Sequence, residues 1–97
     1  MTTVAVTNKQ GKILEVLPFK ANLNLRGPRY LNEGGDMGLT RNKEGRLVLM
    51  YHYTEFPSRD KGEYISEEEA YEICYNRGKQ HLIEQLQIKP NYIGEGI

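Results

Sequence analysis

The chain has 97 residues, a formal net charge of zero at pH 7 and one cysteine. This length leaves no room for a second domain, so we predict a single small domain over residues 1–97. The lone Cys74 excludes an intramolecular disulfide and a thiol-based zinc site. No stretch reaches the roughly 20 apolar residues of a membrane span, and the start lacks the basic and apolar segments of a signal peptide, so we expect a cytoplasmic protein.

Charge is unevenly distributed along the chain. Residues 1–62 contain 10 Lys and Arg against 6 Asp and Glu, whereas residues 63–97 contain 3 against 7. This asymmetry indicates either a basic binding face or attraction between the two parts within one fold. The zero total argues against a dedicated nucleic-acid-binding protein, since such proteins usually carry a net basic charge.

The first elements in the chain are two predicted strands, residues 3–7 and 13–17. The loop between them has Asn8 and Gly11 at the positions of a type I turn followed by a left-handed residue, which predicts a hairpin. The register expected from this loop places Val6 opposite Leu14 and Val4 opposite Val16.

A row of polar residues follows the first hairpin. From Leu17 onwards the apolar residues fall on odd positions instead of even ones, and we predict a bulge or break at Pro18 where this change occurs. Cations, amides and an aromatic ring in one row indicate either a nucleic-acid-binding face or a solvated sheet face. The row continues into a Gly- and Pro-rich loop over residues 27–36 and consists of Lys20, Asn22, Asn24, Arg26, Arg29 and Tyr30.

A second hairpin repeats the turn chemistry of the first, with Asn42 and Gly45 in the same positions. Its register is expected to place Leu39 opposite Leu49 and Met37 opposite Tyr51. Residues 47–56 are the longest run of strand-forming residues, and both alternate faces of the run are largely apolar. We therefore predict that this segment is the central strand and that both of its faces are covered.

One helix is predicted from residue 67 to residue 87, with a helix end at Arg77 and Gly78 as the alternative. Ser66 and Glu69 have the spacing of a capping box, and three glutamates in the first turn suit the positive end of the helix dipole. Gly78 is expected near the middle of the buried stripe, while Ile73 and Ile83 fall outside it. Pro90 ends the pattern, and residues 88–97 are expected to form a loose tail. The predicted stripe consists of Ala70, Tyr71, Cys74, Tyr75, Gly78, Leu82 and Leu86.

The sequence contains no convincing catalytic or metal-binding constellation. His52 and His81 are too few for a zinc site without cysteines, and Cys74 on an apolar stripe is typical of a small hydrophobic residue. Glu33 and Asp36 lack the ligand spacing of a calcium loop. We therefore predict a protein that is not an enzyme and that needs no cofactor or metal.

These patterns predict an α+β fold, with a four-stranded antiparallel sheet from two hairpins and one C-terminal helix packed on one face. The other face of the sheet would then remain apolar and would require a partner. The primary hypothesis is a non-enzymatic protein-interaction module, a homodimer that regulates or inhibits another protein. The alternative is a small RNA- or DNA-binding protein that uses the polar row. The expected interface residues are Tyr51, Tyr53, Ile73 and Ile83.

Overall fold

A computed structural model describes residues 2–23 and 35–91 of the chain. They form an α+β domain with a five-stranded mixed sheet and two helices, so the predicted class is correct, whereas the predicted four antiparallel strands and single helix are wrong in number. A short 3₁₀ turn, Pro57–Arg59, precedes the last strand. The elements are β1 (Thr3–Thr7), β2 (Ile13–Pro18), β3 (Gly35–Arg41), β4 (Leu47–Tyr53), β5 (Lys61–Ile65), α1 (Glu67–Asn76) and α2 (Gln80–Gln85).

The strand missed by the sequence prediction lies in the middle of the sheet. The strand order is β2-β1-β5-β4-β3, with β5 antiparallel to β4 and parallel to β1. The sequence predicts no strand in this segment, since Lys61, Gly62 and Glu63 have weak strand propensity. Gly62 suits the central position, because a Cβ there would lie 3.1 Å from Cγ2 of Val6. The predicted central strand, β4, is second from the edge.

Both hairpin turns have the predicted chemistry. In each turn the side-chain oxygen of the asparagine, Asn8 or Asn42, accepts the backbone N–H groups two and four residues later. The glycines three residues after them, Gly11 and Gly45, have φ angles of 81° and 85°. A left-handed residue at this position favours glycine, which explains the repeated Asn-x-x-Gly pattern.

The predicted register is correct for the second hairpin and wrong for the first. Leu39 pairs with Leu49 and Met37 with Tyr51, as expected. In the first hairpin the register shifts between Val6 and Thr7, so one extra residue is accommodated in β2. This bulge lies near the turn instead of at Pro18. The observed pairs are Val4 with Leu17, Ala5 with Val16, Val6 with Glu15 and Thr7 with Ile13.

The predicted single helix is divided at Gly78, which has a φ of +68°. The backbone N–H of Lys79 donates to the Cys74 carbonyl at 2.8 Å, and that of Gly78 donates to the Tyr75 carbonyl at 3.2 Å. These two bonds form a Schellman motif, which ends a helix at a left-handed residue. Gly78 therefore ends the helix and, contrary to the prediction, does not lie in the middle of a buried stripe.

Only some of the residues assigned to the buried stripe of the helix are buried. Ala70, Cys74 and Leu82 are buried as predicted. Tyr75, assigned to the buried stripe, is 59% exposed, and Gly78 is also exposed. Tyr75 precedes the break and Leu82 follows it, so the error at Tyr75 arises from the width assigned to the stripe within α1 and not from the break.

The start of α1 is as predicted. The Ser66 hydroxyl accepts the Glu69 backbone N–H at 3.1 Å, and the Glu69 carboxylate accepts the Ser66 backbone N–H at 3.3 Å. The capping box is therefore complete and satisfies two donors that the helix itself leaves unpaired. No helix in the described ranges is long and apolar enough to cross a membrane.

Apolar side chains form one core on each face of the sheet. Alternate residues of β4 contribute to both, which agrees with the prediction that this strand is covered on two sides. The helix-side core consists of Leu23, Leu39, Leu47, Leu49, Ala70, Cys74, Leu82 and Ile88. The opposite core consists of Val4, Val6, Val48 and Met50, with Leu17, Phe19 and Tyr64 packed around it.

The sheet curls over the opposite core and brings its two ends together. The Glu15 carboxylate on β2 accepts a hydrogen bond from the Asn42 side chain at 2.8 Å and from the Tyr64 hydroxyl at 2.5 Å. Asn42 follows β3, the strand at the other end of the sheet. Val48 and Met50 are fully buried as a result. The prediction that this face needs a partner chain to cover it is therefore wrong.

Residues 19–22 complete this cover and close the outer edge of β3. A Cβ on Gly38 would overlap the backbone carbonyl of Lys20, so the segment passes directly over the strand there. The Asn22 side chain then donates to the Leu39 carbonyl and accepts from its N–H, both at 2.8 Å. The Leu23 N–H donates to the Met37 carbonyl at 3.1 Å.

The residues after α2 are held against the domain up to Asn91. Ile88 is 5% exposed within the helix-side core. The Lys89 and Asn91 N–H groups donate to the carboxylates of Glu67 and Glu68 at 2.8 and 2.7 Å. The expected loose tail thus includes a buried residue, and its remaining part, residues 92–97, lies outside the described ranges.

Candidate interaction surfaces

The outer edge of β2 combines an unpaired strand with exposed apolar side chains. Ile13, Leu14 and Val16 are 60%, 45% and 57% exposed. In the described part of the chain β2 pairs only with β1, so its outer backbone groups meet no other strand. An edge of this kind is a template for pairing with another chain. We call this surface the β2 edge.

The bulge explains why these side chains are exposed. Val16 pairs with Ala5 and Ile13 pairs with Thr7, so both lie on the sheet face opposite Val4 and Val6. The helices do not bury this part of that face. The sequence contained a signal for the surface, because β2 has apolar residues at both odd and even positions and cannot bury them all in one core.

The only charged residue of β2 is directed into the protein. Hydrogen bonds from Asn42 and Tyr64 lower the pKa of the Glu15 carboxyl, against the opposing effect of burial. The bond to Glu15 raises the pKa of the Tyr64 hydroxyl, and the Arg46 guanidinium lies 3.8 Å from the centre of the Tyr64 ring. The Glu15 carboxylate is therefore hydrogen-bonded within the protein, and the exposed side chains of the β2 edge, Ile13, Leu14 and Val16, are uncharged.

A groove of about 430 Å³ lies where β1 and β5 separate beyond their Val6–Gly62 pair. The exposed side chain of Leu14 contributes to its lining, which makes the groove continuous with the β2 edge. Its walls combine polar, basic and acidic groups. They consist of Thr7, Asn8 and Lys9 on one side and Lys61, Gly62, Glu63 and Tyr64 on the other.

A second surface pairs two tyrosines of β4 with two cations. Lys61 Nζ lies 5.2 Å from the centre of the Tyr51 ring, and the Arg59 guanidinium lies 5.3 Å from that of Tyr53. Burial raises the pKa of the Tyr51 hydroxyl, and the charge of Glu63 adds to the effect. Cations and aromatic rings on a sheet are groups that can contact phosphates and bases.

The polar row predicted to bind nucleic acid is not one surface among the described residues. Lys20 is exposed, but both polar atoms of the Asn22 side chain bond to Leu39. The other four predicted residues lie outside the described ranges: Asn24, Arg26, Arg29 and Tyr30.

The residues predicted as an interface are mostly directed towards the protein's own interior. Tyr51, Ile73 and Ile83 pack against the helix-side core. Tyr53 is half-buried beside Arg59. These side chains therefore supply less free apolar surface than the predicted interface requires.

His52 and Asp60 form a pair that the sequence prediction missed. Nδ1 of His52 lies 2.7 Å from one carboxylate oxygen of Asp60, whose other oxygen accepts the Tyr53 backbone N–H at 2.6 Å. The Phe19 ring lies 5.4 Å from the imidazole, centre to centre. These contacts join the end of β4 to the turn before β5. Because Asp is common in turns after strands, the position of Asp60 in the sequence does not indicate its contact with His52.

Two further observations concern thiol reactivity and metal binding. Burial raises the pKa of the Cys74 thiol, which keeps it protonated and weakly nucleophilic. No cluster of His, Cys, Asp and Glu within residues 2–23 and 35–91 has the arrangement of a metal site.

Comparison of the chain with models of known protein families, with curated proteins and with solved structures gave no match.

Proposed function

We propose that this protein is a non-enzymatic protein-interaction module that binds through the β2 edge. One observation supports this most directly: three exposed apolar side chains, Ile13, Leu14 and Val16, lie on a strand whose outer edge is unpaired in the described ranges. An added strand would satisfy the backbone groups of the edge and cover these side chains.

The two ends of the sheet differ in a way that favours this use of β2. At the far end, Asn22 and Leu23 bond to the outer backbone groups of β3 and block the addition of a strand. Proteins usually protect edge strands against association. Protection of β3 alone makes β2 the edge at which a partner strand can bind.

A module of this kind acts by occupying the surface of another protein. We therefore propose that it is a homodimeric regulator or inhibitor of another protein and that it acts in the cytoplasm. The uncharged side chains exposed at the β2 edge support a protein partner, because nucleic-acid partners are held mainly by cations.

Site-specific photo-crosslinking in cells that make the protein tests this proposal. A photoreactive phenylalanine analogue replaces Val16 in one variant and Lys43, an exposed turn residue, in the control. We expect protein adducts, with a second copy or another protein, from position 16 and few from position 43. Equal adduct yields from the two positions, or none from position 16, would contradict the use of the β2 edge.

A second candidate function is binding of single-stranded nucleic acid at the tyrosine–cation surface. The two pairs, Tyr51 with Lys61 and Tyr53 with Arg59, favour it because rings and cations there lie side by side. Replacing both cations by Ala should reduce the salt dependence of binding by about 0.7 for each lost phosphate contact. A mobility-shift titration at low salt provides the measurement, and absence of binding by the unmodified protein removes this candidate.

A further inference from the structure

We infer that the chain bound at the β2 edge is a second copy of this protein, with the two β2 strands paired antiparallel. The inference rests on the proposed function and identifies the occupant of the same surface. A two-fold axis perpendicular to the sheet would relate the copies, so that each contributes the same residues to the contact.

The charge of the edge favours a second copy. The only charged residue in Ile13–Pro18 is Glu15, and its carboxylate is bonded inwards to Asn42 and Tyr64. Two β2 strands can therefore approach without placing like charges opposite each other, an arrangement that destabilises paired strands. A highly charged partner strand would meet no opposite charge at the edge with which its own charges could pair.

The positions of the apolar side chains select one register. Ile13 and Val16 both lie on the outer face, and directly opposed residues of antiparallel strands lie on the same face. In this register Ile13 of each copy lies opposite Val16 of the other. Both of the resulting pairs then join residues of the outer face. The register also puts Pro18, which has no backbone N–H to donate, opposite Gly11 and outside the paired stretch.

The short pairing limits the strength of association. β2 contains six residues. Strand pairing over this length buries less than the roughly 800 Å² per partner that is usual in stable complexes. We therefore expect a weak, reversible dimer whose dissociation constant is in the micromolar range or above.

Sedimentation analysis of the full chain from about 10 μM to about 1 mM tests whether a second copy binds at the β2 edge. Val16→Lys places a charge at the edge, and Tyr75→Lys is the matched control because Tyr75 on α1 is equally exposed, 59% against 57%. We expect the unmodified protein and Tyr75→Lys to dimerise and Val16→Lys to remain monomeric, with unchanged circular dichroism. A monomeric unmodified protein, or equal association of Val16→Lys, overturns the inference.

Disulfide trapping tests the register. Chains with Ile13→Cys are mixed with chains with Val16→Cys under mild oxidation, and the buried Cys74 does not compete. In the proposed register residue 13 faces residue 16 of the other copy, so we expect cross-linking in the mixture and little in either variant alone. Equal cross-linking in the single variants, or none in the mixture, overturns the register.

The two sets of experiments separate the inference from the proposed function. If position 16 forms adducts only with other proteins while the purified chain stays monomeric, the second copy and with it the homodimer are excluded, whereas binding of another protein through the β2 edge remains. If position 16 forms no adducts, the proposed function fails as well.

Discussion

Gly78 determines where α1 ends, and it does so through its backbone. Its φ of +68° is a left-handed conformation, while no atom of a residue packed against it lies within 4 Å of the position a Cβ would take. Steric space therefore does not require glycine there. The requirement arises from the Schellman motif, in which the left-handed residue lets the next N–H groups turn back to the helix carbonyls.

Replacing Gly78 by Ala should destabilise the protein by about 1 kcal/mol. A left-handed conformation costs a residue with a Cβ about 1 to 2 kcal/mol, and alanine regains part of this by restricting the unfolded chain. Chemical denaturation measures the loss. Gly78→Asn is the control and should lose less, because asparagine tolerates this conformation. Unchanged stability in Gly78→Ala would mean that the helix continues through this position.

The second helix ends at Gln85, close to the predicted end at residue 87, but the left-handed conformation of Gln87 was not predictable. Gln87 has a φ of 52°, and the Ile88 N–H donates to the Ile83 carbonyl at 2.9 Å, as in a Schellman motif. Glutamine carries no signal for this conformation, unlike the glycine at the end of α1. The burial of Ile88 in the helix-side core supplies a tertiary reason for the turn that a local pattern does not contain.

At the scale of the elements, the segment over residues 19–22 acts as a strap across β3. It passes directly over Gly38, and its Asn22 side chain occupies the outer edge of the strand. The strap follows from the end of β2 and leads into Leu23, which is fully buried on the helix side. One short segment therefore covers the opposite core, closes an edge and reaches the other face.

Gly38→Ala should displace this strap. The added methyl group would overlap the Lys20 carbonyl, and backbone cannot move aside as a flexible side chain can, so we expect a loss of about 1 to 3 kcal/mol. Lys20→Ala keeps the strap backbone and should change stability by less than about 0.5 kcal/mol. Hydrogen exchange at Leu39, whose N–H bonds to Asn22, should accelerate in Gly38→Ala alone. Equal exchange in both variants would contradict the crossing.

Elements with strong local signals were predicted correctly, and those determined by distant contacts were not. The two Asn-x-x-Gly turns and the Ser66 capping box depend on residues within a few positions of one another. β5 is a strand because β1 and β4 flank it on both sides, and its sequence contains little that indicates this. The β2 bulge likewise depends on the core that Glu15 and Leu17 face.

At the scale of the whole molecule, Glu15 closes the curled sheet and makes the closure sensitive to pH. Its pKa is lowered in the fold by hydrogen bonds from Asn42 and Tyr64, so its contribution to stability is present above the ordinary glutamate pKa. That contribution is lost as the pH falls through the lowered value. The pKa of Tyr64 is raised, so its contribution is present below the ordinary tyrosine pKa of about 10 and is lost above it.

We expect Glu15→Gln to be less stable than the unmodified protein at pH 7 and to differ from it progressively less as the pH falls below about 4. Denaturation over a pH series measures the difference. Tyr64→Phe is the companion variant, and its difference from the unmodified protein should diminish above about pH 10. A difference in stability that stays constant across the series would show that these groups do not close the sheet through charge.

The candidate site was only partly predictable, because the curl of the sheet and the register of β2 decide which apolar residues are exposed. The sequence predicted self-association, but from an apolar face that the curl of the sheet covers. The edge that the structure leaves open consists of Ile13, Leu14 and Val16, which the prediction had paired within the first hairpin. A one-residue shift in register exchanges the faces of a strand, so the exposed residues could not be identified until the bulge was placed.

The central position of β5 also determines the order in which the protein can fold. Among the described strands β5 is synthesised last, yet within the sheet it lies between the two hairpins, and β1 gains its second neighbouring strand only when Val6 pairs with Gly62. Contacts between residues so distant in sequence slow folding, because the intervening chain must lose its freedom first. Each hairpin is local in sequence and can form before then, which leaves its apolar strand edges open to water and to other chains until the fifth strand enters between them.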